Sequence, residues 1–401
     1  MSIKNIKFQL NNELTFLIAC CQIAPSKDDI EFIHSYLNEQ HVDFDILIGL
    51  ANQHGILPLI YKSLKKLSQS NSLLDSNHGT FIADLKSTYI QIAQRNMLMS
   101  AELIRIMKLL EDNGIEALAF KGPTLSQMAY GDITLRQYSD LDILVDESNL
   151  FKAGRLINAN NYIPDEDIDF LKNQTLLNVS SDLGFRNSSN NTYIELHWKL
   201  FRKKLSITLD GLNIRSNPTV VKIQGKEVKT LQSDLLLVYL CAHGSKHMWE
   251  RIEWIVDVDR LIRHLDSIDW DAVWHYAKTM HSINTLLLGL SLCKELFGTD
   301  LPDTIEKEIN KRENIQLLKI HTLQLLNKTL SEQHSTTSAM FKKFEYHANL
   351  YDSFADRAKY YISTIFKITP DDVLNINLPK YLSFLYFIIR PFRIASKYMK
   401  K

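Results

Sequence analysis

The stretch Phe120 to Val145, FKGPTLSQMAYGDITLRQYSDLDILV, constrains the fold most, because it sets a glycine turn, an arginine and two aspartates around short apolar segments. Ile115 to Phe120 (IEALAF) is an apolar run after Asn113-Gly114, and Lys121-Gly122-Pro123 ends it ahead of a helix predicted from about Thr124 to Tyr130. A strand, a glycine turn and a helix N-terminus leave unpaired N–H groups facing one place, which suits an anion. Gly122 permits close backbone approach there, and Lys121 adds a positive charge. Asp140 and Asp142 flank Leu141 and lead into Ile143, Leu144 and Val145, so in a strand both carboxylates project from one face. Carboxylates held that close in a buried place resist joint ionisation unless a cation compensates them. Hard oxygen ligands of this kind suit Mg²⁺, which also binds phosphates. Arg136, four residues before Asp140, is placed to cap a phosphate or to pair with the acids, and Ser139 offers a hydroxyl.

A third acid for the metal site comes from Thr192 to Phe201, TYIELHWKLF. In strand geometry Tyr193, Glu195 and His197 share one face and Ile194, Leu196 and Trp198 the other, which makes Glu195 the candidate. The preceding segment, Thr175 to Asn187, ends in the polar turn Asn187 to Asn191, so the two predict an antiparallel hairpin. Plainer readings stand beside these. A DxD before an apolar run is common as a solvated strand end, Glu195 can simply face water, and Arg136 can serve only to neutralise Asp140. His243 and His247 sit four apart on a predicted helix and share a face. A Zn²⁺ site there lacks a third ligand, and Gly244 stands where a helical zinc motif needs glutamate. Two readings remain for them: lining a pocket opposite the acids, or packing between helices with Trp249, Arg251, Trp254 and Asp257. His197 is open in the same way.

The rest of the chain frames this segment. Residues 1–112 read as amphipathic helices, with apolar spacing in Ile46 to Leu64 and from Phe81 to Leu110, and polar Ser68 to Gly79 as a loop. An α/β core spans 113–231 and closes with a hairpin, Val220 to Leu231, turning at Gln224-Gly225. Residues 232–401 are helical again, with a polar break at Ser331 to Ser338. The chain has 46 basic and 46 acidic residues, so no global field draws in DNA, and an RNA partner needs a local patch. Cys20, Cys21, Cys241 and Cys293 show neither zinc spacing nor a paired framework, and the apolar run Leu14 to Cys21 is too short for a signal peptide. Both point to the cytoplasm. Tyr381 to Ile389, followed by Arg390, Arg393, Lys397, Lys400 and Lys401, reads as a packed C-terminal helix stopped near Pro391 with a solvated basic tail. The alternative is peripheral contact with an anionic bilayer, because the run is too short to span one.

The pattern KG, a following tyrosine and glycine, LRxxSDLDILV and then IELHW resembles the uncharacterised bacterial nucleotidyltransferase family of the DNA polymerase β-like nucleotidyltransferase superfamily. Leu235 to Ile262 is similar to the helical signature that follows the catalytic domain in that family, and Leu378 to Tyr398 more weakly resembles its C-terminal ending. The resemblance implies an α+β fold: a polymerase β-like core with a small mixed sheet, flanked by N- and C-terminal helical regions. It further implies two Mg²⁺ ions and transfer of a nucleoside monophosphate from an NTP, ATP among them, to an acceptor hydroxyl with release of pyrophosphate. Asp140 and Asp142 match the metal-binding pair, Lys121 and Gly122 the phosphate-side turn, and Arg136 the arginine ahead of the acids. Pro123 departs from the superfamily turn, where glycine or serine follows the glycine, and it removes an N–H donor. A binding or regulatory protein without turnover and a phosphotransferase using the same acids are the competing expectations. The acceptor, whether a metabolite, a sugar, a protein side chain or an RNA end, is not legible.

Overall fold

A computed structural model describes residues 10–39, 42–71, 78–201, 214, 217–265, 267–327 and 337–351, together with most of 354–399. Helices come first: α1 (Asn12–Cys21), α2 (Lys27–Leu37), α3 (Phe44–Gln53), α4 (Leu57–Asn71) and α5 (Gly79–Asp112). The α/β part follows with β1 (Ala117–Ala119), α6 (Gly122–Tyr130), β2 (Leu141–Val145), α7 (Leu150–Ala159), β3 (Tyr162–Pro164), α8 (Gln174–Val179), β4 (Asp182–Asn187) and β5 (Tyr193–His197). A separate hairpin, β6 (Thr219–Ile223) and β7 (Lys226–Thr230), precedes α9 (Ser233–Lys246), α10 (Ile252–His264), α11 (Trp270–Thr279), α12 (Ile283–Phe297), α13 (Asp303–Lys311) and α14 (Glu313–Leu326). Helices Thr337–Asn349, Phe354–Phe366 and Leu385–Met399 complete the described chain.

The main sheet runs β1-β2-β5-β4-β3 and is mixed, β2 and β5 being parallel and the other neighbours antiparallel. β2 is buried along its whole length, Asp142 included, as suits a central strand that is otherwise apolar. Its pleat sends Leu141, Ile143 and Val145 into a core shared with the second half of α5 and α7. Leu144 joins the other core, built by α1–α4 and α9–α14. Asp142 therefore faces the helical side of the sheet. α5, roughly 50 Å long at 1.5 Å per residue, contributes Phe81 and Leu85 to one core and Met99 to Leu110 to the other.

The β6–β7 hairpin turns as read, with φ of +48° at Gln224 and +78° at Gly225. Three expectations need correction. Thr175 to Val179 is not strand but helix α8, capped at its N-terminus by Asn173, whose side chain accepts from the Thr175 and Leu176 N–H groups; only Asp182–Asn187 forms the strand that pairs in the hairpin. Pro391 does not stop the last helix, which runs to Met399; proline removes one bond to the carbonyl of half-exposed Phe387, where water can replace it. Arg390 and Arg393 are not a free tail, since both pair with Asp372, the latter at 2.7 Å. Of the loop read at Ser68 to Gly79, Ser68 to Asn71 instead extend α4 and residues 72–77 lie outside the described residues, as do residues 331–336 of the break read at Ser331 to Ser338. All four cysteines are free and buried. Among the described residues no helix is long and apolar enough to cross a membrane.

Candidate functional site

Between β1 and α6 the chain folds back on β2. Phe120 N–H donates to the Asp142 carbonyl at 3.3 Å, which holds the Lys121-Gly122 turn over the first residues of β2. Gly122 has φ +50°, and an added Cβ would lie 3.2 Å from the Asp140 carbonyl oxygen. Only glycine takes that backbone without strain so close to another chain segment. Pro123 occupies the first turn of α6, where the helix itself does not need its N–H. Lys121 reaches past the turn to place Nζ 3.1 Å from Asp142 Oδ1.

The parallel register sets Asp142 opposite Glu195, with His197 two residues on along the same face of β5. His197 Nε2 lies 3.1 Å from Asp142 Oδ1 and 3.3 Å from Glu195 Oε2. Asp142, Glu195 and His197 each offer a ligand atom within 4.8 Å of the others, the group among the described residues that can hold a metal ion. The Asp142 side chain is 0% exposed, yet its Oδ2 has no hydrogen-bond partner, nor has His197 Nδ1. Leaving a buried carboxylate oxygen unsatisfied costs about 1–3 kcal/mol, and a divalent cation would remove that cost. Two carboxylates and an imidazole are a fitting donor set for one.

Charge is divided unevenly between the paired aspartates. Burial pushes the Asp142 carboxyl up, but Lys121 and His197 outweigh it and hold the group well below the usual carboxylate range. Burial and then the Asp142 charge raise Asp140 to about 6. Burial also works against a charged His197, and its hydrogen bonds to Asp142 and Glu195 reverse this and bring it to about 9. The site is thus an anion clamped by two cations, beside a second acid that takes up a proton near neutrality.

Lys121, Asp140, Glu195 and His197 line one wall of a cleft of about 430 Å³, whereas fully buried Asp142 is not part of its lining. α9 and α10 form the facing wall with Tyr239, His243, His247 and Trp254. The His243 and His247 rings lie 4.9 Å apart, and Trp254 lies 5.5 and 5.2 Å from them. Burial, followed by Lys121 for His243 and Lys246 for His247, lowers both; His247 falls to about 3. Both imidazoles are therefore neutral at physiological pH, and the rings form an uncharged aromatic patch on a wall that also carries Lys246, Arg251 and Glu253.

Asp140, Ser139, Glu195, His197, His243, His247 and Lys121 all line this cleft. Asp140 precedes β2 and stands outside the tight three-residue group. Arg136 also borders the cleft, but its guanidinium does not pair with the DxD aspartates. It is 6% exposed, with Nε 2.9 Å from Asp257 Oδ1 and Nη2 3.1 Å from Glu253 Oε1. The hydroxyl of Tyr130 donates to the same Asp257 at 2.8 Å. α10 carries Glu253 and Asp257 one turn apart, so it presents two acids to one guanidinium. Sequence reasoning missed Asp182, Tyr239 and Glu253, all of which border the cleft. Asp182 pairs with His197 in the β4–β5 register, and counting back from the Asn187–Asn191 turn finds it. No local signal marks Tyr239 or Glu253.

No curated protein matches the chain. The model of a family described as uncharacterised nucleotidyltransferase matches residues 40–298, a span that runs from α3 to α12 and contains every residue of the cleft. With more than half of its length matched, the chain belongs to the uncharacterised nucleotidyltransferase family.

Proposed function

We propose that the protein is a polymerase β-like nucleotidyltransferase that moves a nucleoside monophosphate from an NTP to an acceptor hydroxyl and releases pyrophosphate. The observation that carries this reading is the orphaned Oδ2 of fully buried Asp142, grouped with Glu195 and His197 beside a glycine turn and a helix N-terminus. With the His197 proton released on binding, Asp142, Glu195 and His197 would hold a divalent cation, with Asp140 at its border; Mg²⁺ fits the carboxylates, and the imidazole widens the choice towards Mn²⁺. Such an ion supplies charge neutralisation at the phosphates and acidifies the attacking hydroxyl. The Lys121-Gly122 turn receives the triphosphate, and once the aspartate is otherwise compensated the Lys121 ammonium is available to a phosphate oxygen. Asp140, which lines the cleft beside the three-residue group, is a proton acceptor for the acceptor hydroxyl. Tyr239, His247 and Trp254 give a planar ring an apolar face to stack on, which suits a nucleobase.

One contact favours a second reading, a protein of this fold without turnover: Lys121 Nζ, 3.1 Å from Asp142 Oδ1, already neutralises the central acid. The test is incubation with Mg²⁺ or Mn²⁺ and each α-³²P-labelled NTP together with lysate fractionated into metabolites, RNA and protein. Transferred label with released pyrophosphate, absent in Asp142→Asn, is the expected result. Release of NDP instead would establish phosphoryl transfer, and NTP binding without any product would establish the second reading.

A further inference from the structure

Six of the fourteen exposed large hydrophobic side chains among the described residues lie between residues 361 and 388: Tyr361, Ile362, Phe366, Phe384, Phe387 and Ile388. Ile362, Phe384 and Ile388 are 57–59% exposed. Their spacing is helical. Ile362 and Phe366 are one turn apart on helix Phe354–Phe366, and Phe384, Phe387 and Ile388 follow the i, i+3, i+4 pattern at the start of helix Leu385–Met399. The two helices pack on each other, and each has an inward anchor of its own. Tyr360 is buried on the first. Tyr386 is buried on the second, its hydroxyl donating to the Ile376 carbonyl at 2.5 Å. The exposed stripes are thus surplus to internal packing.

Charge identifies what covers them. Residues 354–401 hold nine lysines and arginines against three aspartates, a net of +6 in a chain whose total is zero, so the remainder carries −6. Ten of these 48 residues are phenylalanine or tyrosine, about twice the 10% aromatic share of the whole chain. A segment of net charge +6 that carries outward aromatic and aliphatic side chains on two packed helices matches a lipid interface, where rings and alkyl groups enter the acyl boundary and the surplus positive charge meets anionic headgroups. A segment of net charge +6 does not suit a second copy of itself, because like charges would face each other.

We infer that the two helices Phe354–Phe366 and Leu385–Met399 form a peripheral docking surface for an anionic bilayer. The contact lies in the interface and does not cross it. It sets the nucleotidyl transfer at a membrane surface, but it does not depend on that activity and is measured without it.

Flotation with phosphatidylglycerol-containing vesicles and with pure phosphatidylcholine vesicles, at low and high salt, tests the inference on the full chain. Binding to the anionic vesicles that weakens at high salt is expected. A double variant, Phe387→Ser with Ile388→Ser, should bind them about tenfold more weakly or less, two apolar contacts being lost, with unchanged circular dichroism and unchanged NTP binding. Ile362→Ser on the other helix gives an independent arm with the same expected direction. Failure to bind anionic vesicles, equal binding to neutral ones, or a dimer in sedimentation that the double variant dissolves would each overturn it. So would capture of homopolymer RNA without vesicle binding.

Discussion

Replacing Arg136 with leucine separates a structural arginine from a phosphate-binding one. The guanidinium serves two carboxylates, Glu253 and Asp257, whose side chains are 3% and 1% exposed. Removing one partner of a buried pair costs about 3–5 kcal/mol. Two circumstances keep the cost within that range even though two acids are stranded. Arg251 Nη2 remains 3.0 Å from Glu253 Oε2. Glu253 can also protonate, since burial has already raised it to about 7 against the pull of Arg136 and Arg251. A folded pKa above the unfolded value means that the native state holds the proton more tightly, so stability from this group falls as pH rises towards 7. With Arg136 gone the pKa rises further, and the penalty should be near 4 kcal/mol at about pH 8 and smaller near pH 6. Urea unfolding followed by tryptophan fluorescence reads this directly. With an m-value of about 3 kcal/mol/M, the midpoint should drop by roughly 1 M at the higher pH. A drop below about 0.3 M accompanied by lost NTP binding would refute the reasoning and return Arg136 to the phosphates.

Three further outcomes follow from the geometry. Gly122→Ala puts a side chain at φ +50° against the Asp140 carbonyl; it should cost about 1–2 kcal/mol and weaken NTP binding, and unchanged thermal denaturation and affinity would contradict the turn's role. His54, fully buried, is lowered by burial and then Arg251 to about 4; its stability is present above an unfolded pKa of about 6.5 and is lost as pH falls towards 4, some 3 kcal/mol in all. Proton uptake on unfolding at about pH 5 should fall in His54→Gln, and equal uptake in both proteins would exclude the assignment. Trp254→Ala should raise the KM for NTP about tenfold with a small change in kcat if the ring stacks on the base; an unchanged KM would remove the wall from nucleotide recognition.

The strands that position the site were legible because their patterns are local. LDILV ends in the apolar run Ile143 to Val145, YIELH alternates, and Gln224-Gly225 marks a turn on its own. Thr175 to Val179 was misread because five residues carry no period long enough to separate helix from strand, and the Asn173 cap decides it. β3, only three residues long, carries too little pattern to be seen at all. The partners of Arg136 lie more than a hundred residues away on α10, and no spacing rule reaches that far. Likewise, the shared face of Glu195 and His197 was readable, whereas their approach to Asp142 follows from a parallel pairing that only the fold supplies. The amphipathic helices at either end of the chain were visible singly, but not that α1–α4 and α9–α14 enclose one common core.

The central claim is that Asp142, Glu195 and His197 hold a divalent cation at the nucleotide site. Electron paramagnetic resonance of Mn²⁺, titrated into the protein with a non-hydrolysable NTP analogue, measures this most directly. Tight Mn²⁺ binding that Mg²⁺ displaces, and that Asp142→Asn abolishes while its circular dichroism stays unchanged, is the result the account requires. Mn²⁺ binding equal in Asp142→Asn and the parent protein, or none in either, would contradict it.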